Sequence, residues 1–195
     1  MNVPELGDAV PRRGNRFSKF MAQSILSLFG WKIEAEIPNM PQFVLIGAPH
    51  TSNVDFFMTM ATMYALGVRI SWMAKSSLFR WPVNGLLRWL GGVPVDRSTP
   101  GRGVVEQTVA RFEKNEQFAI AIMPAGGRSM YREWKTGFYR IAEGAGVPVL
   151  LVKFDYGRKV MGIGPTFEPT GDMEGDIAKM RACYEGIMGR HPDRL

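Results

Sequence analysis

Two hydrophobic rhythms divide this chain. In the first, apolar residues recur at helical spacing. Phe17, Phe20, Met21, Ile25, Leu26 and Leu28 do so between Arg16 and Trp31, which predicts a helix there. Asn53 to Leu66 reads NVDFFMTMATMYAL, a second helix with Ser52 or Asn53 as its N-cap. Val105, Val109 and Phe112 predict a helix over Val104–Lys114, and Gly137–Glu143 forms a short one. Ile177, Met180, Tyr184 and Ile187 place a closing helix over Met173–Met188. The second rhythm is that of strands, either alternating or wholly apolar. It covers Lys32–Ile37, Phe43–Ile46, Arg69–Met73, Phe118–Met123, Val147–Phe154 and Val160–Ile163, with a short strand after the Gly91–Gly92 pair. Strands interleaved with helices predict an α/β fold, a mixed and mostly parallel central sheet flanked by helices. The 195 residues suit one domain, with residues 1–14, rich in Pro and Gly, as a loose arm.

Two segments admit two readings each. The helix over Arg16–Trp31 either caps the core or lies among lipid headgroups, where basic residues with Phe and Trp suit the boundary. Ser76 to Gly92, SSLFRWPVNGLLRWLGG, is either a core helix broken by Pro82 and Gly85 or a segment that meets membrane or acyl chain. Trp81 and Trp89 interleaved with Arg80 and Arg88 favour a place that is apolar on one side and wet on the other.

Composition narrows the partners. With 24 Lys+Arg against 18 Asp+Glu the net charge is +6, which suits an anionic partner such as a nucleic acid, a membrane surface or a phosphorylated small molecule. No helix carries a dense basic stripe and no zinc-finger or base-stacking motif is present, which argues against nucleic acid. One cysteine, Cys183, and two histidines, His50 and His191, argue against an internal disulfide and against a zinc site. No apolar run approaches the roughly 20 residues needed to cross a bilayer, and the N-terminus lacks a signal peptide's apolar region. The expectation is a protein of the cytosol or of the cytosolic face of a membrane.

Three constellations carry candidate chemistry. Ala48-Pro-His50-Thr-Ser-Asn-Val-Asp55 lies between an apolar strand and a helix start, a common position for active-site loops. An Asp in the first helical turn can bind one imidazole nitrogen and leave the other to take a proton from a hydroxyl. Read alone, His50 could equally be structural. Gly91-Gly-Val-Pro-Val-Asp96-Arg97 places an arginine after a short strand, either solvated or as a phosphate fork. Met123-Pro-Ala125-Gly126-Gly127-Arg128-Ser129 offers a glycine pair that lets backbone approach a ligand.

Together, HTSNVD at 50–55, GGVPVDR at 91–97, MPAGGRS at 123–129 and GVPVLLV at 146–152 resemble the glycerolipid acyltransferases, the 1-acylglycerol-3-phosphate acyltransferase family. Its signatures are His, four residues, then Asp; a Gly-rich strand ending in Arg; a Phe-Pro-Glu-Gly-Thr-Arg-Ser block; and a later Val-Pro strand. The resemblance spans about residues 40–165. It implies an O-acyltransferase without cofactor or metal, in which His50 is general base and Asp55 orients it. The donor would be acyl-CoA or acyl carrier protein, and the acceptor a lysophospholipid of the lysophosphatidic acid kind. By motif position, Arg97 and Arg128 hold the acceptor's phosphate, with Gly126, Gly127 and Ser129 shaping that block. Lys75 is a looser candidate for acceptor or donor phosphates. The protein would rest on the membrane by Arg16–Trp31 and Ser76–Leu90.

One position departs from the pattern. Ala125 stands where the family has Glu, and Gly127 where it has Thr. Three accounts are open: an engineered Glu→Ala replacement, a different acceptor such as an amino-acid lipid or a glycolipid, or lipid binding without turnover.

Overall fold

A computed structural model describes residues 3–95, 103–125 and 134–191 of the chain. Helix α1 spans Arg16–Leu28, followed by β1 (Lys32–Ala35), β2 (Gln42–Ala48), α2 (Val54–Leu66) and β3 (Ser71–Lys75). Next come α3 (Asn84–Trp89), β4 (Gly92–Val95), α4 (Val104–Lys114), β5 (Phe118–Ile122) and α5 (Gly137–Ala145). The chain ends on β6 (Val149–Asp155), β7 (Val160–Phe167) and α6 (Met173–Ala182). The seven strands form one sheet in the order β1-β7-β6-β2-β5-β3-β4. Every pairing is parallel except β6 with β7. The mixed, mostly parallel α/β sheet predicted from the hydrophobic pattern is therefore what forms.

The central strands are apolar throughout because both their faces are covered. Along β2, Phe43 and Leu45 enter one core with Ala22 and Leu26 of α1 and with Met63 and Leu66 of α2. Val44, Ile46 and Ala48 enter the other, with Phe112 of α4, Phe138 and Ile141 of α5 and Met180 of α6. Side-chain alternation thus divides one strand between two cores, giving three layers, with α1 and α2 on one face and α4, α5 and α6 on the other.

Several boundaries differ from the periodicity, each for a local reason. The arm expected to be loose is packed: Val10 is fully buried, the Arg13 amide donates to the Gly67 carbonyl and the Arg69 amide to Pro11. Arg69 is thereby engaged by the arm, and β3 begins at Ser71 instead of at Arg69. The closing helix ends at Ala182, and residues to Gly186 continue as turns to a left-handed φ of 74° at that glycine. Asn53 occupies the N-cap of α2 but its side chain makes no capping bond; the Ser52 hydroxyl accepts the Val54 amide instead, at 3.1 Å. Ser76–Gly92 is no core helix. It is a 3-10 turn (Ser76–Leu78), further turns and the short α3, with Leu78, Leu86 and Trp89 exposed and Trp81 92% so.

Helix α1 forms where predicted, closed by a reciprocal Asn15–Ser18 capping box. Only Ala22 and Leu26 are buried. Phe17, Phe20, Ile25, Leu28 and Phe29 face outward, so most of its apolar surface has no protein partner among the described residues.

Gly91 fixes how β4 enters beside β3. Its φ is +93°, and a Cβ there would lie 2.5 Å from the Ile70 carbonyl oxygen. Gly91→Ala is expected to lower stability by about 1–3 kcal/mol from the backbone conformation alone, read as a lower denaturant midpoint with an unchanged slope. An unchanged midpoint would mean that the two strand entries can separate without cost.

Candidate active site

The loops after the C-terminal ends of β2, β3, β4, β5 and β6 share one edge of the sheet, the edge where open α/β sheets hold ligands. His50 follows β2, the middle strand of the seven. Asp55 sits in the first turn of α2, where the helix dipole favours a negative charge. Its carboxylate is fully buried and turns back on the loop before it. Oδ2 accepts the Thr51 amide at 3.0 Å and the Ser52 amide at 2.9 Å. The same oxygen lies 3.0 Å from His50 Nδ1. That approach is close but not aligned as a hydrogen bond. The imidazole is 18% exposed, and with Nδ1 held against Asp55, Nε2 is the nitrogen left to take a proton.

Asp55 Oδ1 accepts the Tyr156 hydroxyl at 2.6 Å. Nothing in the sequence pattern points to Tyr156. It follows β6, which pairs with β2 in a register that sets Ala48 beside Lys153, so strand order alone brings the two loops together. Trp31 packs edge-on against the Tyr156 ring, with centroids 4.9 Å apart. The Tyr156 amide donates to the Met188 carbonyl, and the His191 amide donates to the Thr51 hydroxyl at 3.2 Å. A Cβ on Gly189 would come within 2.9 Å of the Thr51 side chain. The chain after α6 thus straps the His50 loop from outside.

Burial is the largest single influence on Asp55 and pushes its carboxyl pKa up. The His50 ring, the Tyr156 hydroxyl and the Ser52 amide together outweigh it and hold the pKa below the ordinary carboxylate range. Burial first, then the Asp55 carboxylate, push the Tyr156 hydroxyl far above its ordinary value, so it stays a donor.

The other sequence candidates distribute as follows. Lys75 ends β3 in register with Val95 of β4. It is exposed on the same edge, two strands from β2 and therefore about 10 Å from that strand's axis. Ala125 is 8% exposed and belongs to the second core with Trp134, Phe138 and Tyr184. Arg97, Gly126, Gly127, Arg128 and Ser129 lie outside the described residues. Among the described residues no three His, Cys, Asp or Glu side chains converge.

An apolar cavity of about 310 Å3 opens on this edge between the strand ends and α4 and α5. Met73, Val95, Val105, Met123, Phe138 and Ile141 line it. Met123 connects it to β2, because a Cβ on Gly47 would lie 3.3 Å from the Met123 sulfur.

The family model described as Acyltransferase matches residues 32–154, well over half of the chain and the span from β1 to the end of β6. No curated protein matches the chain.

The Tyr156 bond has a pH signature. Asp55 has a folded-state pKa below the unfolded value of about 3.9. Its ionised form therefore adds stability that is fully present above that value and is lost as pH falls through the depressed folded pKa. Tyr156→Phe removes one donor and is expected to cost about 1.5–3 kcal/mol at neutral pH, a deficit that shrinks as the solution is acidified through the carboxylate range. Denaturant unfolding of both proteins across that range measures it, and a deficit independent of pH would mean that the hydroxyl does not act through the Asp55 charge.

Proposed function

The chain belongs to the acyltransferase family, and from that premise we propose that it moves an acyl chain from acyl-CoA or acyl carrier protein to a hydroxyl of a lysophospholipid resembling lysophosphatidic acid. The observation that carries this reading is the His50 ring set on the buried Asp55 carboxylate, on the same sheet edge as an apolar cavity. In the proposed reaction His50 Nε2 takes the acceptor's O–H proton as the oxygen bonds to the thioester carbonyl carbon. The tetrahedral intermediate then collapses. Its carbonyl re-forms, the C–S bond breaks, and the departing sulfur takes the proton back from the imidazolium. The products are an ester and a free thiol.

Asp55 serves by holding the ring in one tautomer and stabilising the imidazolium while it exists. Tyr156 and the two loop amides keep the carboxylate ionised and fixed. The apolar cavity suits the first part of the acyl chain. Arg97 and Arg128, by their motif positions, are assigned to the acceptor's phosphate, with Gly126, Gly127 and Ser129 around it and Lys75 at the rim. The outward apolar face of α1 and the exposed Trp81 and Trp89 support a peripheral position on the cytosolic face of a membrane. No helix among the described residues is long and apolar enough to cross one.

Ala125 favours a second reading of the acceptor. A glutamate confined to its buried surroundings would take a carboxylate out of water, at considerable cost unless it were paired. An alanine packed there fits an acceptor that needs no carboxylate, such as an amino-acid lipid or a glycolipid.

Thiol release from an acyl thioester, followed with a panel of lyso-lipid acceptors, tests both readings. His50→Ala is expected to lower transfer by about 10²–10⁴-fold, the usual contribution of a general base. Transfer within about tenfold of the parent would remove His50 from that role. Turnover confined to lysophosphatidic acid would exclude the second acceptor class. A rise in that turnover in Ala125→Glu would identify the alanine as a lost functional group.

A further inference from the structure

The edge of the sheet opposite the His50 loop carries a second concentration of charge. A cavity of about 450 Å3 lies where β3 and β4 begin, and its walls include Arg12, Arg13, Arg69 and Arg88. The first two come from the N-terminal arm, Arg69 from the turn after α2 and Arg88 from α3. The arm is held there by its backbone bonds to Gly67 and Arg69. The Arg13 guanidinium lies 5.0 Å from the centres of both the Tyr64 and the Trp89 rings and donates to the Trp89 carbonyl. Arg88 Nε donates to Asn84 Oδ1 at 2.9 Å.

Four arginines therefore border one cavity; of these four, Arg12 alone has a carboxylate partner among the described residues, Asp8 at 2.8 Å, and it also donates to the Leu6 carbonyl at 3.1 Å. Each guanidinium has five N–H donors, and the bonds just named use only a few of them. Like charges gathered this way repel one another unless an anion sits between them. The unused donors, arranged as forks, suit a phosphate.

The rim selects the kind of phosphate. Trp89 and Leu86 are exposed beside the arginines, Trp81 stands nearby in the chain, and Phe17 faces outward four residues after Arg13. A free phosphate gains nothing from such a rim. A phosphate at the surface of a bilayer does, because the arginines then lie among headgroups while the tryptophans enter the boundary. Helix α1 continues the apolar surface from Arg13 across the domain to Trp31, which packs on Tyr156. A protein lying on α1 therefore presents both edges of its sheet to the same bilayer.

We infer that the Arg13–Arg69–Arg88 cavity binds the phosphate of an anionic lipid headgroup, a docking lipid separate from the acyl acceptor. The inference rests on the membrane-peripheral reading above. Flotation with vesicles of phosphatidylcholine alone and of phosphatidylcholine containing phosphatidylglycerol tests it. The Arg69→Gln, Arg88→Gln double variant is compared with Arg140→Gln, Arg181→Gln, which removes the same charge from exposed positions on α5 and α6. The cavity pair is expected to lose affinity for anionic vesicles by about fivefold per arginine, roughly 25-fold in all, with the control pair close to the parent. Should the double variant fail to fold, Arg88→Gln on the exposed face of α3 carries the test with about a fivefold loss. Equal losses in the two pairs would overturn the site, as would inorganic phosphate binding in calorimetry that the cavity pair abolishes while its vesicle binding stays unchanged. A parent protein that floats with neither vesicle would overturn the membrane reading itself.

Discussion

A carboxylate cannot be fully buried without enough donors to replace its water. Placing an unpaired charge in a protein interior costs several kcal/mol even after relaxation. Asp55 meets that requirement with two amides of its own preceding loop and the hydroxyl of Tyr156, with the imidazole of His50 3.0 Å away. Much of the candidate site follows from these bonds. The Thr51 and Ser52 amides can reach Oδ2 only if the chain folds back at the start of α2, and that fold sets His50 beside the carboxylate. The Tyr156 hydroxyl can reach Oδ1 only if β6 lies next to β2. Trp31 and the strap through Met188 and His191 then hold Tyr156 and Thr51 from behind. The charge is thus a constraint on loop, strand order and chain end together.

A second buried carboxylate is held by a comparable set of donors without an imidazole beside it. Asp176, in the first turn of α6, accepts from the Thr170 amide and hydroxyl and from the Tyr139 hydroxyl. The Thr170 amide is the chief reason its pKa is lowered. Its donors are an amide and two hydroxyls, and the Lys179 ammonium 3.5 Å away is a surface cation. Asp55 differs in having an imidazole beside it, that of His50 with Nδ1 3.0 Å from Oδ2. The two networks share buried oxygens that accept from amides and hydroxyls, and the difference between them is one imidazole.

The legible parts of this fold are those governed by local pattern. The unbroken apolar run of β2 reports a strand covered on both faces, and the spacing of Val105, Val109 and Phe112 reports α4 to its observed bounds. His50 and Asp55 are legible because five residues is a loop's length. Tyr156 is not, because 101 positions separate it from Asp55 and their meeting depends on strand order, which hydrophobic periodicity does not encode. Periodicity also misleads about direction. The apolar spacing of α1 suits a helix that caps the core and a helix that meets lipid equally. Only the packing shows that the small Ala22 and the single Leu26 face inward while the phenylalanines face out. The arm is a similar case. Its Pro and Gly content suggests looseness, yet bonds to the turn after α2 hold it down, and those bonds involve backbone groups that composition does not report.

The two edges of the sheet make different demands of the strands between them. At one edge polar loops follow the strand ends beside an apolar cavity, lined by Met73 within β3, Val95 at the end of β4 and Met123 just after β5. At the other, strand entries must come close enough for separate segments to bring their arginines to one cavity, which Gly91 permits by leaving the Ile70 carbonyl unobstructed. Helix α1 runs between the edges, its N-terminus beside Arg13 and its end leading to Trp31. Its outward phenylalanines therefore do not need a protein partner to make sense of their position. If that face meets a bilayer, the lipid supplies the apolar surroundings that the fold withholds, and the same contact brings the His50 loop to the plane in which a lipid hydroxyl is found. On this account the exposed face of α1 belongs to the architecture of the site as much as the buried carboxylate does. The carboxylate holds the His50 loop in place, and the helix face would set the height of that loop at a bilayer.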